Sequence, residues 1–570
     1  METEWSEKKP DQTVVSRLED GLGCHRVIAT LLANRDIKTP EAALAFLSPS
    51  METLTNPFAL KDMDRAVERI ILAIENKEKI LIFGDFDADG VTATAVLNDF
   101  LTHINGEVSW YIPHRIREGY SLKVEHIAMA VEQQIDLIIT VDCGSDSFEA
   151  VDLARHEDID IIVTDHHEVP DPKPEAFAIV NPKQKKCPSG LDHLAGVGVA
   201  FYLVIALRME MRKRGVWENI SEPNLITSCD LVALGTIADM VPLRAENRIL
   251  TMAGIQVMRE GRRPGLKALV EVAGINPALL DSDDIAFRIA PRINAPGRIS
   301  HARICMDLLC SKEAGAVQQK AEILDQLNRR RQQTEQSIVA DIEQRILRRG
   351  ETSFKNAIVM WDSSWNPGVM GIAASKIARE YARPVVLIST AKTPATGSCR
   401  SVDNINIHTA LGQCSALLER FGGHAMAAGL TMRHERIEDF SRLFQQTICS
   451  MVNSEPQKKI MELDCALEID SITEELIQAV DRLRPFGIGN PDPLFYCKDV
   501  TVVNSTIIGL GHRKMQLAKR TAPSGPPITA MHFNIDDPAY PPAHFERIAF
   551  RVRMNHFNGK SSPQIIIEQS

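Results

Sequence analysis

The sequence predicts an α/β protein in three parts: a mainly parallel sheet domain, a second α/β domain, and a C-terminal β-barrel of the oligonucleotide-binding type. Three observations carry this. From Lys79 onward apolar strand candidates alternate with helix candidates, which is the sequence form of a parallel sheet covered by helices on both faces. The alternation returns at residue 356. Past residue 460 it gives way to short stretches of alternating polarity separated by Gly and Pro turns, the pattern of a small barrel.

Residues 1 to 12 are polar and are expected to be disordered. Residues 13 to 50 read as short helices, the last begun by Thr39 as N-cap and Pro40 at the first helical position. They form a lead-in expected to pack on the domain that follows. An amphipathic helix covers 62 to 76, DMDRAVERIILAIEN. Then come KILIF, a helix over 91 to 102, EVSWYI, a helix over 123 to 133, DLIITV, a helix over 147 to 156, and IDIIVT. Residues 196 to 310 are mostly helical. An unbroken helix spans 312 to 349, and the Arg329, Arg330, Arg331 run that interrupts its apolar stripe marks it as a connector rather than a core element. NAIVMW, a helix over 369 to 381 and PVVLIS build the second α/β unit. The expected divisions are therefore a lead-in at 1–50, a first α/β domain at 51–311, the connector at 312–350, a second α/β domain at 351–455 and the barrel at 456–570.

At 570 residues the chain is long enough for several cores, and its 44% hydrophobic and 24% charged residues are those of an ordinary globular protein. No tract of 18 apolar residues occurs and the N-terminus lacks the apolar stretch of a signal peptide, so a cytoplasmic protein is expected. Eleven cysteines without a CxxC pair support neither a disulfide framework nor a thiolate zinc site. A net charge of −11 argues against a generally basic nucleic-acid coat and leaves room for a local basic groove.

The chemistry is concentrated where strands end. GDFDADG places Asp85, Asp87 and Asp89 directly after KILIF, Asp142 follows DLIITV, and Asp165, His166 and His167 follow IDIIVT. In parallel sheets ligands bind outside the carboxyl ends of the strands. Asp239, in LGTIADMVPL, is a later candidate for the same crevice. So many carboxylates repel one another unless cations lie among them, and oxygen ligands with one or two imidazoles suit Mn²⁺ or Mg²⁺. The ligand count fits two ions about 3.5 to 4 Å apart bridged by one carboxylate, with Asp142 the candidate bridge.

Taken together, GDFDADG, VDCG, TDHH and GTIADMVPL resemble the signature motifs of the DHH phosphoesterase superfamily, and within it those of the RecJ-like single-strand-specific exonucleases. The resemblance extends to ALAFLSP, IPHRIREGYSL, RINAPGRI, WNPGVMGIAASKIA, GSCRSV, FGGHAMAAGL and LRPFGIGNPDPLF, nearly the whole chain. It implies a DHH domain, a DHH-associated domain and an OB-like barrel. It also implies Asp87, Asp89, Asp142, His166 and Asp239 as metal ligands, with Asp85, Asp165 and His167 completing their surroundings. Two positions depart from the family pattern: Phe83 stands where a histidine is common, and Asn366 follows Trp365 where the family pairs tryptophan with histidine.

The activity the resemblance implies is a metal-dependent 5′ to 3′ exonuclease releasing 5′-mononucleotides from single-stranded DNA in recombination and repair. Two-metal catalysis needs no serine or cysteine nucleophile. His167 is the candidate to hold or protonate the scissile phosphate. Arg115, Arg298, Ser398 and Arg400 offer donors for phosphate, and the resemblance places the 5′-terminal phosphate among the arginines. Arg117 reads as a surface charge. Gly422, Gly423 and His424 are expected to open a helix whose N-terminus binds an anion. In the barrel, His512, Arg513, Lys514, Lys519 and Arg520, with Phe533 and Phe557, are candidates for sequence-indifferent strand binding. The resemblance further implies contact with a single-strand-binding protein and a RecQ-like helicase, and a monomer is expected. The alternatives are a DHH hydrolase of small substrates such as pyrophosphate or cyclic dinucleotides, against which the extra barrel counts, and a silent DNA-binding relative, against which the complete acidic set counts.

Overall fold

A computed structural model describes residues 3–311, 313–350, 354, 356–402, 405–451, 459–509, 511–520, 526–535, 540–557 and 560–570. The chain forms two compact units. The larger comprises residues 55–239 and 250–455, the smaller 1–54, 240–249 and 456–570.

The larger unit holds a five-stranded parallel sheet in the order Glu107–Tyr111, Lys79–Gly84, Leu137–Val141, Asp160–Thr164, Ala178–Val180. Leu137–Val141 lies at its centre and is buried along its whole length, as β-branched strands sandwiched between helices are. Helices Ala88–His103 and Gly196–Lys213 are likewise buried on most of their surface. A second sheet, ordered Arg420–Gly423, Ala427–Met432, Ala395–Arg400, Val385–Ser389, Ile358–Asp362, belongs to the same unit. Its last two strands pair in parallel and the rest antiparallel. Helix Ala314–Arg349 is more than a connector. Its second half buries Ile338, Val339, Ile342 and Ile346 in a core shared with Ile358, Trp365 and Val369. Arg331 does not break this stripe because it pairs with Glu335 along the helix surface.

The smaller unit is a barrel in which Phe495–Ile508, His512–Lys519, Ile528–His532, Lys560–Gln569 and His544–Phe557 follow one another, closed by pairing of the first with the last. The N-terminal helices, expected to pack on the domain that follows them in sequence, belong to the barrel's unit. Val15, Leu18, Leu31 and Leu32 share the barrel's core with Ile477, Phe495, Phe550 and Ile565. Of the stretch expected to be disordered, residues 1–2 lie outside the described residues, while Thr3–Glu7 pairs in parallel with Lys459–Leu463, and Trp5 donates to Gln569 and lies under Arg547. A strand of such polarity gives no local signal; its partner is 456 residues away (459 minus 3). The expected basic run of the barrel is also divided. Strand alternation turns Arg513 inward with Met515 and Leu517, and Lys519 pairs with Glu468, while Phe533 stays exposed beside His512. The Phe557 side chain lies outside the described residues. Among the described residues no helix is long and apolar enough to cross a membrane.

Candidate metal centre

At the carboxyl ends of the central strands the structure gathers three sets of ligand atoms, each set within 4.8 Å: Asp85, Asp87 and Asp142; Asp89, His166 and Asp239; and Asp142, His166 and His167. Asp142 thus belongs to two of them. It follows the central strand at φ 61, a left-handed conformation that costs energy for a non-glycine residue and turns its carboxylate into the crevice.

Local backbone needs fix the other side chains. Asp87 caps helix Ala88–His103, accepting from the N–H groups of Asp89 and Gly90. Gly90 is required there, since a Cβ would lie 2.6 Å from the Asp85 backbone. Asp89 accepts from Gly196 N at 2.7 Å and Val197 N at 2.8 Å, at the start of the buried helix Gly196–Lys213. Asp239 ends helix Cys229–Ala238. His166 Nε2 lies 3.1 Å from Asp142 Oδ1, 3.6 Å from Asp239 Oδ2 and 3.8 Å from Asp89 Oδ2.

Asp165 stands apart from the three sets. It accepts from the N–H groups of Ser145, His166 and His167 and from His167 Nδ1 at 2.8 Å, so its work is to orient the two histidines. Tyr120, which sequence reasoning gave no role, adds its hydroxyl to His167 Nδ1 at 3.1 Å.

Burial drives the electrostatics. It pushes the Asp85 and Asp142 carboxyls well above the usual carboxylate range, with neighbouring aspartates adding to it. Burial, then Asp87, raises Asp89 to about 7; burial, then Asp89, raises Asp239 to about 8. Burial lowers His166 to about 4, with His167 adding. Burial would lower His167 too, but its hydrogen bond to Asp165 and that residue's charge raise it to about 9.

The donor set fits divalent cations. Asp85 Oδ1, Asp142 Oδ1 and His166 Nε2 are buried without a hydrogen-bond partner, three lone-pair atoms directed into one crevice. Buried polar atoms are rarely left so, and hard cations would supply the partners they lack. The crevice is kept open by glycine: a Cβ on Gly196 would lie 2.5 Å from Asp142 Oδ1, and one on Gly235 would lie 2.8 Å from Asp89 Oδ1. Phe83 supplies no ligand; its ring is buried with Tyr111 and His126 at 5.8 and 4.8 Å.

Beside the carboxylates the structure gathers arginines. Arg298 is lowered to about 9 by burial and by Arg115, with Arg331 and Arg400 adding; burial, with Arg115 contributing, also lowers Arg400. The Arg115 guanidinium lies 4.7 Å from the Phe86 ring, inside the aspartate loop. Asn294, a second residue missed from sequence, ties the same loop down by accepting from Ala88 N at 2.8 Å. Arg298 donates to Gly368 O, two residues past Asn366, which caps the following helix by accepting from Gly368 N. Arg400 is oriented by Ser375 and Ser398, close against Gly371.

The expectation for Gly422, Gly423 and His424 is corrected. They open no helix: Arg420–Gly423 and Ala427–Met432 form an antiparallel hairpin, and His424 sits in its turn, donating its N–H to Ala427 O. Alanine and methionine favour a helix, but Gly422, Gly423 and Gly429 oppose one, and pairing with Ala395–Arg400 decides.

Three family models match the chain: the DHH family N-terminal domain over residues 79–236, the DHHA1 domain over 354–449 and the RecJ OB domain over 463–569. Among curated proteins, the single-stranded-DNA-specific exonuclease RecJ of Bacillus subtilis is 34% identical over 99% of this chain and 70% of its own. That of Haemophilus influenzae is 34% identical over 92% of each. Among solved structures, RecJ of Thermus thermophilus in complex with Mn²⁺ superposes with a TM-score of 0.83 at 27% identity, covering 100% of this chain and 79% of that one. An exonuclease RecJ bound to manganese gives 0.60 at 33% identity, covering 68% of this chain and 95% of its own. With relatives of this identity matched over 70% and 92% of their own length, the chain belongs to the RecJ family.

Proposed function

We propose that the protein is a metal-dependent exonuclease that hydrolyses single-stranded DNA from the 5′ end, releases 5′-mononucleotides and acts in recombination and DNA repair. The observation that carries this reading is a cluster of half-buried arginines bordering a carboxylate and histidine centre. Such a cluster holds a terminal phosphate while the next phosphodiester lies over the ligands, and a cut at that position removes one nucleotide.

Asp85, Asp87 and Asp142 would hold one ion and Asp89, His166 and Asp239 the other, with Asp142 between them. When bound, Mn²⁺ or Mg²⁺ polarises the phosphate and activates the attacking water. His167, oriented by Asp165 and Tyr120, presents its ring beside Asp142 and donates to the scissile phosphate. Arg115, Arg298 and Arg400, the last with Ser398, hold the 5′-terminal phosphate. Cysteine chemistry has no part: burial pushes the Cys143 thiol, next to Asp142, well above its ordinary value, so it stays protonated.

We further infer that the enzyme works in the cytoplasm as a monomer, on strands exposed by a RecQ-like helicase and covered by a single-strand-binding protein. The barrel's match to the RecJ OB domain favours a long strand over the small substrates of other DHH enzymes. The test is digestion with Mn²⁺ of 5′-labelled and 3′-labelled single strands and of blunt duplex. The expected result is early release of the 5′ label as mononucleotide from single strands only. A 5′ label that stays on long DNA in the presence of metal overturns the proposal.

A further inference from the structure

The two segments that bring Arg115 toward Arg298 also bring His114 to His301, whose rings meet edge to face at 5.6 Å. Each imidazole is held the same way. His114 Nδ1 accepts the N–H of Ile116, and His301 Nδ1 accepts the N–H of Arg303, both at 3.1 Å. A ring nitrogen that accepts from a backbone N–H carries no proton, so each neutral ring carries it on Nε2. Both histidines are thereby donors outward. This tautomer is the wrong one for a metal ligand through Nε2 and the right one for an anion. Burial, and then His114, keep His301 below its ordinary value, which preserves the neutral donor form.

The surroundings are basic. Arg117 and Arg303 both bear electrostatically on His301, and both are exposed. The Arg303 guanidinium lies 5.3 Å from the Trp110 ring. The neighbouring carboxylate, Glu118, is engaged by Tyr111 Oη at 2.8 Å and His126 Nε2 at 3.3 Å. Two preset N–H donors in a setting made basic by Arg117 and Arg303, next in the chain to the arginine cluster, match a singly charged phosphodiester.

We propose that His114 and His301, flanked by Arg117 and Arg303, form a second phosphate subsite that holds a backbone phosphodiester of the substrate strand outside the arginine pocket. This rests on the exonuclease reading above. These are positioning residues: they hold the strand and take no part in the bond that breaks.

The experiment uses the full chain with Mn²⁺ and two 5′-phosphorylated substrates, an oligonucleotide of about twenty nucleotides and a dinucleotide too short to reach the subsite. In the double variant His114→Ala with His301→Ala, KM for the oligonucleotide rises at least about 100-fold, as for loss of two hydrogen bonds to a charged group, with kcat unchanged. Dinucleotide kinetics do not move. His114→Gln with His301→Gln, which restores N–H donors, recovers most of the loss. In EDTA, fluorescence anisotropy of the labelled oligonucleotide shows the same weakening. One neutral methylphosphonate near the 5′ end weakens wild-type binding and is without effect in the double alanine variant. Equal losses for both substrates, or unchanged oligonucleotide binding, overturn the proposal. So does an effect confined to inhibition by free mononucleotide, which would give the subsite to product. A wild-type protein that hydrolyses neither substrate overturns the exonuclease reading instead, and the anisotropy measurements still decide the subsite.

Discussion

His166 Nε2 and Asp142 Oδ1 face each other at 3.1 Å, buried, and neither has a hydrogen-bond partner. A divalent cation held by both atoms would supply the partner each lacks. Replacing Asp142 by Ala therefore removes a ligand from two of the three sets at once. The expected outcome is a fall in kcat of at least about 10²-fold, the scale seen when one charge-stabilising group is lost, with strand binding in EDTA retained. Single-turnover kinetics and anisotropy check the two halves separately.

Proton competition gives the second prediction. Asp89 and Asp239 are raised to about 7 and about 8, chiefly by burial, above the roughly 3.9 of an unfolded aspartate. Between these values the folded chain holds protons that the unfolded chain has released. Without metal, that contribution to stability is complete below about pH 4 and is lost as pH rises through 7 to 8. Thermal unfolding in EDTA is expected to show the loss across this window. The gain in Tm on adding Mn²⁺ is expected to grow over the same range, since the ions displace the protons.

Gly196 yields a third test. An added Cβ would lie 2.5 Å from Asp142 Oδ1, whereas one on Gly198 would meet only the flexible Leu194 side chain at 3.2 Å. Gly196→Ala is expected to weaken Mn²⁺ binding at least about 10-fold by calorimetry, within the range of changes to a ligand's immediate support. Gly198→Ala is expected to leave metal binding unchanged.

The arginine cluster makes the fourth. For Arg298→Ala or Arg400→Ala, KM for 5′-phosphorylated strands is expected to rise about 10- to 100-fold, the worth of a hydrogen bond to a charged group. Strands with a 5′-hydroxyl are expected to change little. Side-by-side steady-state kinetics on the two ends decide it, and equal changes would argue against a terminal-phosphate role.

Much of the centre was legible in the sequence because its ligands sit next to strand ends, where local pattern and long-range topology coincide. Asp85, Asp87, Asp142 and His166 could be gathered on one sheet edge before any coordinates, and the central place of the Asp142 strand followed from the alternation. What escaped has no periodic signature. Tyr120 and Asn294 act from loops and a helix across the crevice, and their only signal was position within short motifs. FGGHAMAAGL misled because small residues carry little preference of their own, so the neighbouring strand decided its conformation. The N-terminal helices were read correctly one by one, but the alternation of polar and apolar residues says nothing of which core receives them.

That last point changes where this polypeptide can be cut. A truncation at the start of the OB family match, residue 463, would leave Val15, Leu18, Leu31 and Leu32 without the residues that cover them, and would strip Arg248 of the Leu483 and Arg482 carbonyls its guanidinium binds. The fragment would be sticky rather than minimal. A workable catalytic piece has to drop both ends together, and even then the stretch from Met240 to Ile249 stays behind as an orphan to be redesigned.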